Sequence, residues 1–265
     1  MYRHIRLFRI TAVILALGAA ACGGGSSTSS TAPITNASAA GIWTGTDSES
    51  GLTVTGIINS AGLSDFIRAD GVQYIGTAQV SGTTVAITLD GYAQFGSQFS
   101  DGSTYGIGTL NATVSSGTSI DGTLSFTTTD NTMISSTWSL TFDSLYNSAS
   151  SLSSISGNYT DSSTNDPSNG ATVSITSGGV ISAQNPSNGC VLNGQVSTNN
   201  TSYDVYEVSY TYESCTGTDA ALNGVQFTGL AILNTGVSPA QLLIGVTGQN
   251  SGGTNYGLIS GLTGA

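Results

Sequence analysis

Apolar and polar residues alternate with a period of two through most of the chain beyond residue 40. Residues 120–126, 138–142 and 204–212 show the pattern most clearly, because β-branched and aromatic side chains take every second position. This alternation is typical of antiparallel strands that bury one face and expose the other. Apolar residues do not recur at the helical spacing in this part of the chain. The pattern therefore predicts an all-β protein with no significant helix outside an N-terminal signal segment.

Turn signals separate the predicted strands at short intervals. Asp-Gly or Asn-Gly pairs, which favour tight hairpin turns, occur at residues 70–71, 90–91, 101–102, 169–170 and 223–224. We count about eight strands in each half of the chain, connected in sequential order. Such a meander favours two successive antiparallel barrels, which leave no strand edge exposed. Two β-sandwiches are the alternative, and a single sixteen-stranded membrane barrel would share the same alternation.

The two halves of the chain resemble copies of one unit. Four correspondences carry the likeness: residues 41–44 with 157–160, residues 71–76 with 189–194, Gly108 with Gly229, and Gly122 with Gly245. The offset between the halves grows slowly along the chain, as loop insertions in a duplicated unit would produce. We therefore expect a first barrel over residues 41–146, a serine-rich linker over 147–154 and a second barrel over 155–265.

The first 21 residues have the layout of an export signal. Three arginines precede an apolar run over residues 10–17, which is too short for a permanent membrane helix, and small residues follow. The segment Ala19-Ala20-Ala21-Cys22 resembles the lipobox of bacterial lipoproteins. That resemblance implies cleavage before Cys22 and attachment of diacylglycerol to its thiol. An ordinary secretory signal with an incidental cysteine is the alternative.

Residues 22–40 consist mostly of glycine, serine, threonine and alanine, which predicts a flexible tether between the anchor and the first barrel. The residue after the cysteine is Gly23 rather than aspartate, and the lipoprotein resemblance then implies transport to the outer membrane. We expect a lipid-anchored monomer there, on the periplasmic face or at the cell surface. The lipid on Cys22 makes the membrane its first partner.

Two wider likenesses follow from this organisation. A lipidated cysteine, a tether and two small barrels together resemble surface lipoproteins such as the transferrin-binding and factor H-binding proteins. Residues 189–194, followed by 203–206 and Cys215, are similar to a pattern in uncharacterised proteobacterial lipoproteins. The first likeness is one of architecture and transfers no binding residues, and the second implies no known activity.

Charge and composition exclude several functions. After residue 9 the only basic residue is Arg68, with no lysine or histidine, whereas all 15 acidic residues lie beyond Cys22. Nucleic acids and anionic lipid surfaces need clusters of basic side chains, so neither is an expected partner. Histidine-dependent triads, histidine-bound zinc and lysine Schiff bases are excluded as well. No cofactor, metal or catalytic residue is predicted.

Cys190 and Cys215 are the two cysteines left after lipidation of Cys22. An even pair in an exported protein predicts a disulfide. A redox or metal-binding role is the alternative, although neither thiol has a basic neighbour in the sequence to activate it.

Tyr206, Tyr210 and Tyr212 share one face of a predicted strand over residues 202–214. The rings could line a cavity for a sugar or an apolar ligand, or they could fill the core of the second barrel. We favour the core, because an eight-stranded barrel needs large side chains inside.

A turn-rich loop carries Asp161, Asn165 and Asp166, whose oxygens are of the kind that calcium binds. Their spacing matches no established calcium loop, and such residues are ordinary in turns. Arg68 is expected to pair with Asp65 or Asp70, or else to hold an anionic ligand.

Glu207 and Glu213 lie on the polar face of one predicted strand, about 20 Å apart. A glycosidase needs its two carboxyl groups roughly 5–10 Å apart, so this pair does not fit. We expect a non-enzymatic envelope protein that binds a ligand or a protein, or serves the envelope structurally. A carboxylate-based hydrolase, such as a glycosidase, is the alternative.

Overall fold

The alternating segments form strands throughout the part of the protein that a computed structural model describes, residues 35–161, 163 and 165–264. Strands pair in sequence order and close into two separate antiparallel barrels of eight strands each. The predicted fold class is therefore confirmed. Within these residues the strands form neither open sandwiches nor one sixteen-stranded barrel.

The first barrel contains the strands β1 (Gly41–Asp47), β2 (Thr53–Ile58), β3 (Leu63–Arg68), β4 (Gln73–Ser81), β5 (Thr84–Tyr92), β6 (Tyr105–Ser115), β7 (Ser119–Thr128) and β8 (Met133–Asp143). Pairing of β8 with β1, in the register Trp43 opposite Phe142, closes it. A short 3₁₀-helix, Ser144–Asn147, follows, and the side chain of Asp143 accepts the backbone N–H of Leu145 at its start.

The second barrel contains the strands β9 (Gly157–Asp161), β10 (Thr172–Ile175), β11 (Val180–Gln184), β12 (Val191–Thr198), β13 (Tyr206–Glu213), β14 (Gln226–Asn234), β15 (Gln241–Gln249) and β16 (Asn255–Gly264). A second 3₁₀-helix, Gly217–Leu222, lies between β13 and β14. Pairing of β16 with β9, in the register Thr263 opposite Thr160, closes this barrel.

Aromatic rings occupy the interior of the first barrel. The largest fully buried side chains there are Trp43, Phe66, Tyr74, Phe126 and Trp138. Trp138 contacts both Phe66 and Tyr74, at ring-centroid distances of 5.2 and 5.5 Å. Each such ring removes roughly 150–250 Å² from water, so these residues dominate the packing energy. Alternation therefore works as expected, with one face of each strand supplying the core.

The correspondences between the two halves fall on equivalent strands, but the register of one of them is wrong. Gly108 is on β6 and Gly229 on β14, the sixth strand of each barrel. Gly122 and Gly245 are likewise on the seventh strands, yet they face opposite sides of the sheet. A Cβ on Gly122 would meet Ala112 of its own barrel, whereas a Cβ on Gly245 would meet Asp65 of the other barrel. Gly108 pairs with Phe126 and Gly229 with Val246, so the position that matches Gly122 is Leu242, three residues before Gly245. A shift by an odd number of residues exchanges the two faces of a strand.

The predicted disulfide is confirmed. Cys190 and Cys215 are bonded, and they tie the start of β12 to the loop after β13. The bond closes a loop of 25 residues, which stabilises the fold by roughly 3–4 kcal/mol in the chain-entropy model.

Residues 36–39 lie against the first barrel, although their composition resembles the tether. The N–H of Ala37 donates to the carbonyl of Gly82, and the N–H of Gly82 donates to the side chain of Asn36. Ala39 is buried. Residues 36–39 therefore belong to the first barrel rather than to the tether expected over residues 22–40.

The two barrels pack against each other through their outer faces. Ile42 on β1 and Ile57 on β2 are buried against Leu230 and Ile232 on β14. At the rim of this contact, Tyr146 and Tyr203 stack with ring centroids 4.4 Å apart. Side chains that a lone barrel would expose to water are thereby covered.

Candidate ligand site between the barrels

Strand β3 is buried on both faces, which is unusual in a small barrel whose outer face normally meets water. Alternate side chains of β3 lie on opposite faces of the sheet. Ser64, Phe66 and Arg68 lie on the face turned into the first barrel. Leu63, Asp65 and Ile67 lie on the face turned toward the second barrel. An acidic residue therefore sits in the contact between the barrels.

A pocket of about 300 Å³ opens at this contact. The first barrel contributes Leu63, Asp65 and Ile75 to its wall, and the second contributes Glu207, Ser209, Thr228, Leu230 and Thr247. The volume is at the lower end of the range for small-molecule sites. Apolar walls with a few polar groups are also typical of such sites.

Asp65 is the most unusual residue of the pocket. Its side chain is 1% exposed, and neither carboxyl oxygen has a hydrogen-bond partner within the protein. Nearly all buried polar groups in native proteins have such a partner, and a buried carboxylate without one is costly. The missing donors are what a ligand would supply.

Glycine at position 245 allows the barrels to approach closely at Asp65. A Cβ built there would lie 2.2 Å from Asp65 Oδ2 and 2.9 Å from Ile67 Cδ1. Any other residue at this position would push β3 and β15 apart. The position thus keeps the carboxyl group against the second barrel's backbone.

Burial raises the pKa of Asp65 to about 8. No hydrogen bond to the ionised form offsets the loss of hydration, so the acid form is favoured. At neutral pH the protonated form of Asp65 is therefore favoured.

Glu207 lies on the opposite wall and is well partnered. Its Oε1 accepts a hydrogen bond from Asn199 Nδ2 at 2.9 Å and another from Asn59 Nδ2 at 3.2 Å. Asn59 follows β2 in the first barrel, so this contact links the barrels at the pocket edge. Glu213, at the other end of β13, is exposed and lines no part of this pocket.

Arg68 is committed to a different site, and the proposed pairing with Asp65 is wrong. Residues 65 and 68 differ by an odd number on one strand, so their side chains lie on opposite faces. The guanidinium binds Asp70 in a bidentate manner, with Nε–Oδ1 and Nη2–Oδ2 distances of 2.9 Å. The alternative pairing with Asp70 is thus confirmed. The Nη1 atom of Arg68 also lies 3.6 Å from Oδ2 of the buried Asp47.

Asp47 is buried like Asp65, but donors surround it. Burial alone would raise the pKa of Asp47, yet hydrogen bonds from the backbone N–H of Ser50 and the indole N–H of Trp138 hold it below its ordinary value. The Trp138 Nε1–Asp47 Oδ2 distance is 3.1 Å. This carboxylate serves the structure of the first barrel.

The loop with Asp161 and Asp166 closes one end of the second barrel. Asp166 accepts hydrogen bonds from Tyr212 at 2.8 Å and from Ser260 at 2.6 Å. Ser168 Oγ lies 2.6 Å from oxygens of both Asp161 and Asp166. Burial and the nearby charge of Asp166 raise the pKa of Asp161 to about 6. These oxygens are used internally, and no cluster of three or more metal-ligating side chains occurs among the described residues.

Asn165, the third residue of the proposed calcium loop, points elsewhere and donates to Ser97 across the barrel contact.

The three tyrosines lie in the core of the second barrel. Tyr206, Tyr210 and Tyr212 are at most 2% exposed. Tyr210 packs against Tyr212 and Phe227 at ring-centroid distances of 5.5 and 5.7 Å. None of the three lines the pocket between the barrels.

Cys22, the expected lipidation site, lies outside the described residues.

Sequence reasoning missed Asp65 as a site residue. One signal was available. Ile57 and Ile75, the cross-strand neighbours of Asp65, lie on the same outer face of the sheet as Asp65. A lone carboxylate among apolar outward residues indicates a covered face. Recognising it requires the register between strands, which the sequence alone does not provide.

The fold and pocket define a two-barrel protein with a small acidic site at the contact of its domains. Comparisons with models of protein families, with curated proteins and with solved structures find no match for this chain. Within the described residues, no helix combines the length and the apolar character that crossing a bilayer requires.

Proposed function

We propose that this protein is a non-enzymatic lipoprotein of the outer membrane, anchored through Cys22, that binds a small ligand in the pocket between its barrels. The observation that carries the binding role is the partnerless carboxyl group of Asp65, buried in a pocket that both barrels build. Cofactors have no part in this proposal.

The proposed anchoring rests on the N-terminal sequence. A charged segment, a short apolar run and small residues before Cys22 are the features that lipid attachment requires, and a polar tether follows them. Acyl chains contribute about 0.8 kcal/mol per buried CH₂, so more than one chain on Cys22 would hold the protein stably at a membrane.

The proposed binding role rests on the energetic cost of burying Asp65 in a contact that apolar side chains would form at lower cost. A structural contact between barrels is best built from apolar side chains such as Ile42, Ile57 and Leu230. Placing Asp65 in that contact, without a hydrogen-bond partner in the protein, destabilises the folded state. Residues retained at such a cost are typical of functional sites, where a ligand supplies the missing interactions.

A carboxylate-based hydrolase is the second candidate, because Asp65 and Glu207 line the same pocket. A proton-bearing carboxyl beside a second carboxylate is the arrangement that glycosidases use. It ranks second because Glu207 Oε1 already accepts hydrogen bonds from Asn199 and Asn59, so this carboxylate is held as a link between the barrels.

Native mass spectrometry of the full-length protein, extracted from its own envelope, tests the proposal. We expect a diacylglyceryl modification on Cys22 and a bound small molecule. A Thr228→Trp variant should lose that molecule, because the indole would fill the pocket. Thr123→Trp, on the exposed outer face of β7, is the control and should keep it.

Two results would contradict the proposal. An unmodified Cys22 would remove the anchor, and retention of the small molecule by Thr228→Trp would place binding elsewhere. Turnover of aryl glycosides that Asp65→Asn and Glu207→Gln both abolish would favour the hydrolase instead.

A further inference from the structure

We infer that the pocket between the barrels takes a small organic cation, a primary ammonium group on a short apolar stem, with Asp65 as its counter-ion. This inference rests on the proposed function of the pocket as a ligand site and assigns the chemical class of the ligand.

The first argument is the deficit of donors at Asp65. Both of its oxygens are buried without a partner, and a carboxylate can accept several hydrogen bonds. An ammonium group carries three N–H donors and no acceptor. Its charge-assisted bonds to a carboxylate are roughly twice as strong as neutral ones.

The second argument is the sign of the surrounding charge. Glu207 provides a second acidic group on the opposite wall, and no basic side chain competes for either carboxylate there. Arg68, the only basic residue after residue 9, binds Asp47 and Asp70 on the other face of β3. Anionic ligands are therefore repelled, and cationic ligands are attracted.

The third argument is the nature of the remaining wall. Leu63, Ile75 and Leu230 provide apolar surface beside the carboxyl group, and Ser209 and Thr228 provide hydroxyl acceptors. A bare metal ion would gain nothing from the apolar side chains and prefers several oxygen ligands at once. An apolar stem ending in an ammonium group uses both kinds of surface.

Binding should release a proton. An opposite charge within about 4–6 Å lowers a carboxyl pKa by 1–3 units, so Asp65 would ionise as the amine enters, and its proton would pass to the solvent. Glu207 on β13 is the charged group that faces Asp65 across the pocket. Asp90 on β5 lies in the same outward row beyond Ile75. The adjoining strands β2, β4, β14 and β15 carry no acidic or basic residue other than Tyr74, which points into the first barrel.

Isothermal titration of the full-length protein with n-butylammonium, 1-butanol and butyrate tests the inference. We expect n-butylammonium to bind about tenfold or more tightly than 1-butanol, and butyrate not to bind. Titration at pH 7 in two buffers of different ionisation enthalpy should show a net release of protons, up to about one per amine. A parallel titration with Nα-acetyl-lysine methylamide distinguishes the two sources of an ammonium group, a free amine and the lysine side chain of a partner protein.

Asp65→Asn should weaken n-butylammonium binding about tenfold or more and abolish proton release, and Glu207→Gln should weaken it less. Asp121→Asn removes the same charge from the exposed face of β7 and should leave both unchanged. Circular dichroism establishes that each variant is folded.

The outcomes separate this inference from the proposed function. Equal binding of 1-butanol and n-butylammonium, blocked by Thr228→Trp, would keep the ligand site and overturn the choice of a cation. Calcium or magnesium binding that depends on Asp65 would also overturn it. If no probe binds in a manner sensitive to Thr228→Trp, both the inference and the proposed binding role fail.

Discussion

Two buried aspartates on the first barrel differ in a way that separates structure from function. Asp47 and Asp65 are both at most 1% exposed, and both lie on strands of the same sheet. Asp47 is surrounded by an indole N–H, backbone N–H groups and Arg68, whereas Asp65 has no donor at all. Burial by itself is therefore not informative, and the supply of hydrogen-bond donors decides what a buried carboxyl group does.

The two aspartates should respond oppositely to pH. Unfolded aspartate ionises near pH 4, and folded Asp65 ionises near pH 8, so the folded state holds an extra proton between these values. The free energy of unfolding should fall as the pH rises through this window. Asp47 has a lowered pKa, so its contribution is present above pH 4 and is lost on acidification.

Replacing each aspartate by asparagine should give the largest contrast. Asp47→Asn deprives Trp138 and Arg68 of a charged acceptor and should destabilise the protein by about 2–4 kcal/mol. Asp65→Asn removes the cost of burying an ionisable carboxyl group in the folded state and should stabilise the protein by about 2–4 kcal/mol above pH 8. Urea unfolding from pH 4 to pH 9 measures both.

The gain from Asp65→Asn should shrink toward zero near pH 4, because Asp65 is then protonated in both states. A gain that does not change with pH would mean that ionisation of Asp65 is not its source. Destabilisation by Asp65→Asn above pH 8 would show that the carboxylate has a partner after all.

The close approach at Gly245 provides the next test. Gly245→Ala places a Cβ into the space of Asp65 Oδ2 and should cost about 1–3 kcal/mol, as overpacking does. The cost should be smaller in an Asp65→Ala background, with a coupling of about 1 kcal/mol in a double-mutant cycle. Gly178→Ala is the control, since the nearest atom to its Cβ is Thr176 Oγ1 at 3.8 Å. Additive costs would refute the proposed contact.

Two neighbouring tyrosines repeat the comparison on a smaller scale. The hydroxyl of Tyr212 donates to Asp166, whereas that of Tyr210 is buried without a partner. Tyr212→Phe should therefore cost about 1–2 kcal/mol, and Tyr210→Phe should be nearly neutral, within about 0.5 kcal/mol. Thermal unfolding of the two variants distinguishes them, and equal losses would contradict the assigned partners.

The sequence was sufficient for the fold because period-two alternation and turn residues determine strands locally. Tyr206, Tyr210 and Tyr212 lie in the core for this reason, and pairing of Cys190 with Cys215 followed from counting. The match of Gly122 with Gly245 was out of register by three residues, because loop insertions hide the pairing of the strands.

The site was beyond the sequence because it depends on how one closed sheet packs on another. Asp65 and Glu207 are far apart in the chain and belong to different barrels. Nothing local to residues 63–68 distinguishes an outer face that meets water from one that meets a second barrel. Arg68, three residues from Asp65, drew attention as its partner although strand parity separates them.

Direct titration of Asp65 tests the central claim that a buried carboxyl group without donors awaits a cationic ligand. Carboxyl ¹³C NMR of the full-length protein, with Asp65→Asn to assign the resonance, gives its pKa without and with saturating n-butylammonium. We expect a pKa of about 8 in the protein alone and a clear decrease when the amine is bound. A pKa near 4 in the protein alone, or one that the amine leaves unchanged, would contradict the account.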